Sequence, residues 1–211
     1  AMPDTVREKR QTAVIGVGLL DYFGQGSQKG TGETAYAEYI QKIADFIVWL
    51  IEHNHVVRIL IGDMTYDNRV RRDMKECIER RGIAYDKKRI IDEPIHSVSD
   101  LLDQLSKTDM VVASRFHNIL LSLMQNRPAI SISYNVKNDA IMREYGFGNY
   151  CQKIESLDVS RLIEQFIELR KSASDHMPRL LEKTEEFRKV ADAQCEYAFA
   201  RLREESQAST Q

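Results

Sequence analysis

Short apolar, β-rich runs return along this chain, separated by stretches of helical spacing. That alternation restricts the fold more than any other feature. TAVIGVGLL (Thr12 to Leu20) comes first, followed by VVRILIG (Val56 to Gly62), RIID (Arg89 to Asp92), MVVA (Met110 to Ala113) and PAISI (Pro128 to Ile132). A last strand is expected around Tyr150 to Ile154. Runs that are apolar on both faces are what a strand buried under helices on both sides requires.

The intervening segments read as helices. Thr34 to His53 places Tyr39, Ile43, Phe46, Ile47 and Leu50 on one side, the spacing of an amphipathic helix. The next helix has Asp67 as its expected N-cap and Gly82 as its C′ glycine. Ser97 or Ser99 is placed to cap a helix through Leu101, Leu102 and Leu105. Further helices are expected over Phe116 to Asn126, over Lys137 to Tyr145 with Gly146 ending it, and from Asp158 to about Lys171. Strands alternating with helices in this way predict an α/β fold with a doubly wound parallel sheet. One Rossmann-like domain is expected over residues 11–173, a helical extension over 174–205, and flexible ends at 1–10 and 206–211.

Pro178 to Glu204 is expected to form a long amphipathic helix with no strand after it, on which Leu180, Phe187, Ala191, Ala198 and Leu202 share one side. It either packs on its own domain or reaches toward something outside this chain.

Charge narrows the partners. Lys and Arg total 30 against 32 Asp and Glu, a formal net charge of -2, which gives no reason to expect nucleic acid or an acidic membrane surface. The longest apolar run is too short to span a bilayer. Cys77, Cys151 and Cys195 lie far apart with no C-x-x-C pair, so reduced thiols in a cytosol are expected and no metal site is.

One short stretch carries the candidate chemistry. In DMVVASRFHNILLSL a buried strand stops at Ala113, Ser114, Arg115 and His117 intervene, and an apolar helix resumes. In open α/β sheets, ligands bind beyond the carboxyl ends of the strands, where helix N-termini favour anions. Arg115 there offers a bidentate fork for phosphate or carboxylate. SYNVKN (Ser133 to Asn138) ends the following strand and offers a hydroxyl, a phenol, amides and an ammonium to the same crevice.

Other polar features carry less. The loop with Gly24, Gly26, Gly30 and Gly32 lacks the G-x-x-x-x-G-K-[ST] pattern of a phosphate loop, and Gly16 and Gly18 lack the third glycine of a dinucleotide fingerprint. It is a solvent loop or a lid. Asp63 and Asp67 end the second strand, with Asp67 read as a cap. His53 and His55 are expected to end a helix in solvent, and His96 to be structural.

Taken together, VVASRFHNILLSLMQNRPAISISYNVKNDAIMREYG resembles the signature of polysaccharide pyruvyl transferases. In that family an S-R-x-H motif leads a helix and the next strand ends in a Y-x-x-K-like turn, matched here by Ser114, Arg115 and His117, then Tyr134 and Lys137. The resemblance implies one Rossmann-like half of a GT-B fold, the C-terminal, donor-binding half, with an N-terminal half of the same protein outside this chain. It also implies transfer of pyruvate from phosphoenolpyruvate to two hydroxyls of a sugar or polysaccharide acceptor, forming a ketal in surface polysaccharide biosynthesis, with no cofactor. The implied catalytic residues are His117 and Arg115. The implied donor-binding residues are Ser114, Arg115, His117, Asn118, Ser133, Tyr134 and Lys137. The pattern departs from the family at Leu20, where many relatives carry an arginine, and at Asn135, where the turn has no acidic residue. A nucleotide-sugar glycosyltransferase half and a non-catalytic GT-B-like binding module stand as alternatives.

Overall fold

The computed structural model describes residues 12–22, 31–61, 67–86 and 88–208. Its strands are β1 (Val14–Gly18), β2 (Val56–Leu60), β3 (Ile90–Ile91), β4 (Met110–Ala113), β5 (Ala129–Ser133) and β6 (Cys151–Lys153). They form one sheet in the order β3-β2-β1-β4-β5-β6, and every pairing is parallel. The helices are α1 (Thr31–Glu52), α2 (Asp67–Arg80), α3 (Val98–Ser106), α4 (Phe116–Met124), α5 (Val136–Glu144), α6 (Val159–Lys171) and α7 (Ala173–Ala208).

The apolar runs become strands because helices cover both faces. All four residues of β4 and all five of β5 are buried. On one face α1 packs against α2 and α6; on the other, α3, α4 and α5 pack in sequence. Tyr39, Phe46, Tyr145, Phe147 and Phe166 are among the largest fully buried side chains. Phe46 meets Phe166 edge-on at 5.9 Å between ring centroids, a favoured aromatic geometry.

Local signals set the helix ends. Ser97 Oγ accepts from the Asp100 N–H at 3.1 Å, so Ser97 rather than Ser99 caps α3. Gly82 and Gly146 take positive φ, at 77° and 85°, ending α2 and α5 as the pattern predicts. The side chain of Asp67, the loop glycines 24, 26 and 30, and Asp63 lie outside the described residues.

Two expectations change. The last helix begins at Ala173, with Pro178 already inside it. The Asp175 N–H bonds to the Ser172 carbonyl at 2.9 Å, so the chain re-enters helix at once after α6. Nor is His55 in solvent: it is 3% exposed and leads into β2. The Ala13 N–H donates to its Nδ1 at 3.4 Å and Arg170 Nη1 lies 3.0 Å from its Nε2, while Phe166 meets the ring edge-on. His53 is half-buried, stacked on Trp49 at 4.1 Å.

α7 divides into two parts. Leu180 is buried and Thr184 reaches Asn126 Oδ1 and the Leu123 carbonyl, both at 3.3 Å. Phe187 stacks near Tyr145. From Arg188 to Arg201 every residue is exposed, including Val190, Tyr197 and Phe199.

Candidate active site

The strand order reverses between β1 and β4. Connections leave those neighbours in opposite directions and open a crevice over their carboxyl ends. The Ser114 N–H donates to the Gly18 carbonyl at 3.1 Å, so the turn carrying Ser114, Arg115 and His117 starts at that point.

The turns after β4 and β5 share one plan. After β4, Arg115 is the N-cap of α4, with φ -70° and ψ 129°, and its side chain makes no capping hydrogen bond. After β5, Asn135 is the N-cap of α5 and its Oδ1 accepts from the Lys137 N–H at 2.9 Å. The second helical residue is exposed in both, His117 in α4 and Lys137 in α5. The third is fully buried in both, Asn118 and Asn138. α4 has no acidic residue in its first turn, so its N-terminal dipole meets the Arg115 and His117 side chains without a carboxylate of its own.

The predicted residues therefore divide by depth. Arg115 and Tyr134 are half-buried, and His117 and Lys137 are exposed. Ser114, Asn118 and Ser133 have no exposed surface. Ser114 Oγ lies 3.0 Å from Tyr39 Oη, and Ser133 Oγ donates to the Asn135 carbonyl at 3.1 Å. Asn118 Nδ2 donates to the Leu60 carbonyl at 3.3 Å, passing over Gly18. A Cβ at Gly18 would lie 2.5 Å from that amide nitrogen and 2.6 Å from Ala113 Cβ, so only glycine leaves the path open. Leu20 is buried in the core and puts no polar group on the rim.

Sequence reasoning missed Tyr39, whose helical spacing marked it as core while its hydroxyl reaches Ser114. It also missed a cluster between α1 and α2. Tyr36 Oη donates to Asp73 Oδ2 at 2.8 Å, Arg69 lies 4.3 Å over the Tyr36 ring, and Arg69 Nη1 donates to Glu33 at 3.2 Å. Burial and then the Asp73 hydrogen bond push the Tyr36 hydroxyl well above its ordinary range, and the nearby Asp21 carboxylate adds to this. Asp21, just beyond β1, brings negative charge to that side of the crevice. Beside β5, burial pushes the Asp139 carboxyl up, but Lys153 and Ser133 outweigh it and hold the group below its ordinary value.

Among the described residues no group of three or more His, Cys, Asp or Glu converges as a metal site, and no helix is long and apolar enough to cross a membrane. A shallow pocket at the opposite edge of the sheet is lined by Thr12, Asn54, His55, Val56, Lys88 and Arg89. It lies beside the strand beginnings and none of the predicted site residues lines it.

The family model described as "Polysaccharide pyruvyl transferase" matches residues 9–136. That span holds the strand ends through Ser133, with Arg115, His117 and Tyr134. No curated protein matches the chain. Among solved structures, a mutant O-GlcNAc transferase of Thermobaculum terrenum is 15% identical with a TM-score of 0.55, covering 83% of this chain and 32% of its own. The UDP-forming α,α-trehalose-phosphate synthase of Burkholderia xenovorans is 12% identical with a TM-score of 0.50, covering 88% of this chain and 44% of its own. Both likenesses concern the fold, and this chain spans less than half of either protein.

Proposed function

Since the chain belongs to the polysaccharide pyruvyl transferase family, we propose that it is the donor-binding half of such an enzyme and that its donor is phosphoenolpyruvate. The observation that carries this reading is the placement of Arg115 and His117 on the uncapped start of α4 at the switch point of the sheet. Arg115 is assigned to the donor's phosphate or carboxylate, with Lys137 from the next turn as a second cation. His117, an exposed imidazole in the first turn of α4, is assigned the proton.

In the proposed reaction the His117 imidazolium protonates C3 of phosphoenolpyruvate, leaving C2 electrophilic. An acceptor hydroxyl adds to C2, and its proton returns to a base. A second hydroxyl then attacks C2 as the bond from C2 to the phosphate oxygen breaks, and its proton leaves with the inorganic phosphate. The product is a ketal of pyruvate on the sugar or polysaccharide. The acceptor is assigned to an N-terminal half outside this chain, without which the fragment is expected to be inactive. The cytoplasm is the expected compartment, where phosphoenolpyruvate is made and thiols stay reduced.

Titration with phosphoenolpyruvate tests this, followed through the Arg115 Nε–H and His117 ring resonances and the melting temperature. The expected result is a saturable shift of both resonances in the millimolar range or below. Arg115→Ala should weaken phosphoenolpyruvate binding measurably with the fold intact, and His117→Ala should spare binding more than turnover in the full-length enzyme. A folded protein with no response at millimolar phosphoenolpyruvate overturns the donor assignment. A second reading, a nucleotide-sugar-binding half, draws on the likeness to a UDP-forming synthase. It predicts stabilisation by a UDP-sugar and none by phosphoenolpyruvate. Stabilisation by neither would favour the non-catalytic module, the reading that buried Leu20 supports.

A further inference from the structure

Ser114 is held at three points. Its N–H bonds to the Gly18 carbonyl, its hydroxyl faces Tyr39, and its carbonyl oxygen accepts from Asn138 Nδ2 at 2.8 Å. The first bond merely continues the sheet. The third comes from α5, on the turn after the neighbouring strand. We propose that Asn138 is a positioning residue for the Arg115–His117 turn, acting through the Ser114 carbonyl. The proposal deepens the reading of that turn as the anion site and rests on it.

The geometry supplies the reason. The Ser114 carbonyl belongs to the planar peptide that joins Ser114 to Arg115. Fixing its oxygen fixes the plane from which the Arg115 side chain and the first turn of α4 depart. Asn138 is itself well anchored: it has no exposed surface, and its own N–H donates to the Asn135 carbonyl at 3.0 Å. Its Oδ1 is buried with no hydrogen-bond partner. The donation to Ser114 is thus what orients the amide, and an apolar side chain of the same shape would fill the space without leaving an unpaired oxygen. Asn118 performs the same operation one turn earlier, reaching the Leu60 carbonyl at 3.3 Å, and its Oδ1 is likewise buried and unpaired. Two buried amides at equivalent helix positions link the ends of β2, β4 and β5, so the turn after β5 sets the orientation of the cation on the turn after β4.

The test uses Asn138→Leu, which keeps the shape and loses the donor, with Asn138→Ala if leucine does not fold. Leu180→Ala serves as a control that weakens the fold away from this turn. In ligand-free protein, the Asn138 variant is expected to move the Arg115 Nε–H and His117 ring resonances, and Leu180→Ala to leave them in place. Phosphoenolpyruvate affinity should fall about tenfold in the Asn138 variant and be unaffected by it in an Arg115→Ala background, the non-additivity of residues acting as one unit. Unmoved resonances in the folded variant, or equal movement in the control, overturn the proposal. If the ligand-free resonances move but wild-type protein binds no phosphoenolpyruvate, the positioning role stands and the donor assignment falls.

Discussion

Gly18→Ala puts the closeness of the strand ends to a quantitative test. The added Cβ would stand 2.6 Å from Ala113 Cβ and 2.5 Å from Asn118 Nδ2, against about 3.5–4.0 Å for carbons at rest. Ala113 has no rotamer to change and lies in a fully buried strand. The strands must therefore part by several tenths of an ångström, an overpacking cost of about 1–3 kcal/mol. The Asn118 amide must leave the Leu60 carbonyl, and stranding that buried donor adds about 1–3 kcal/mol. Together these give about 2–6 kcal/mol, a large part of the roughly 5–15 kcal/mol that holds a typical domain. Urea unfolding measures it, as a lower midpoint at unchanged slope. Asn118→Ala removes one of the two clashes, so in that background Gly18→Ala should cost at least about 1 kcal/mol less than alone. Strict additivity, or a single-variant cost below about 0.5 kcal/mol, would refute this account of the strand ends.

Leu180→Ala should cost about 2–4 kcal/mol in chemical unfolding, because the side chain is fully buried where α7 docks. Hydrogen exchange should find the Arg188 to Arg201 amides far less protected than those of α6, since nothing covers that stretch; equal protection would contradict it. A thiol reagent near neutral pH should modify exposed Cys195 first. Cys151 should lag, its thiol pushed up to about 11 by burial and by the Asp139 carboxylate, and three fast thiols in native protein would rule this out. Asp139 titrates below its ordinary value of 3.8 when folded. Its ionised form therefore stabilises the fold above that pH, and the contribution is lost as pH falls through the depressed folded value. Asp139→Asn should lower the melting temperature at neutral pH, with the gap to wild type closing in acid.

The alternation of apolar runs made the sheet legible, and β4 falls on Met110 to Ala113 as expected. A strand buried on both faces admits few other readings, and Ser97, Gly82 and Gly146 mark helix ends through local chemistry that sequence shows directly. Contacts across the sheet were not legible in the same way. Tyr39 meets Ser114 75 positions away, and Arg170 meets His55 115 positions away. The alternation indicates a parallel sheet without indicating which strands adjoin, and these pairs exist only because β1 lies between β2 and β4. His55 read as solvated for that reason: Glu52, His53 and Asn54 ahead of it are polar, and its partners come from α6 and from the residue before β1. Arg115, His117 and Lys137 were recognisable because a polar group just past a buried strand reaches a rim in any parallel order.

That difference bears on how a site of this kind is built. A cation two residues past a strand is a local feature, whereas its direction depends on groups that only the assembled sheet brings near. Asn138 reaches Ser114 because β5 lies beside β4, and Asn118 reaches Leu60 because Gly18 leaves the space above β1 empty. Arg115 and His117 thus lie at the end of a chain of contacts running from β2 through β5. A substitution along that chain reaches them through the backbone, without touching a ligand. Arg115 and Tyr134 are half-buried whereas His117 and Lys137 are exposed, so the four proposed donor contacts differ in depth. The same division runs through α7. Its first turns are fastened to α4 and α6, and the turns bearing Val190, Tyr197 and Phe199 stand clear. An isolated helix of that length gains little from its own propensity in water, and aromatic side chains left in solvent mark surface available for contact. The rim bearing Arg115 and His117 and the far turns of α7 therefore both present surface beyond the domain, as the proposal of an acceptor brought by a further half of the protein requires.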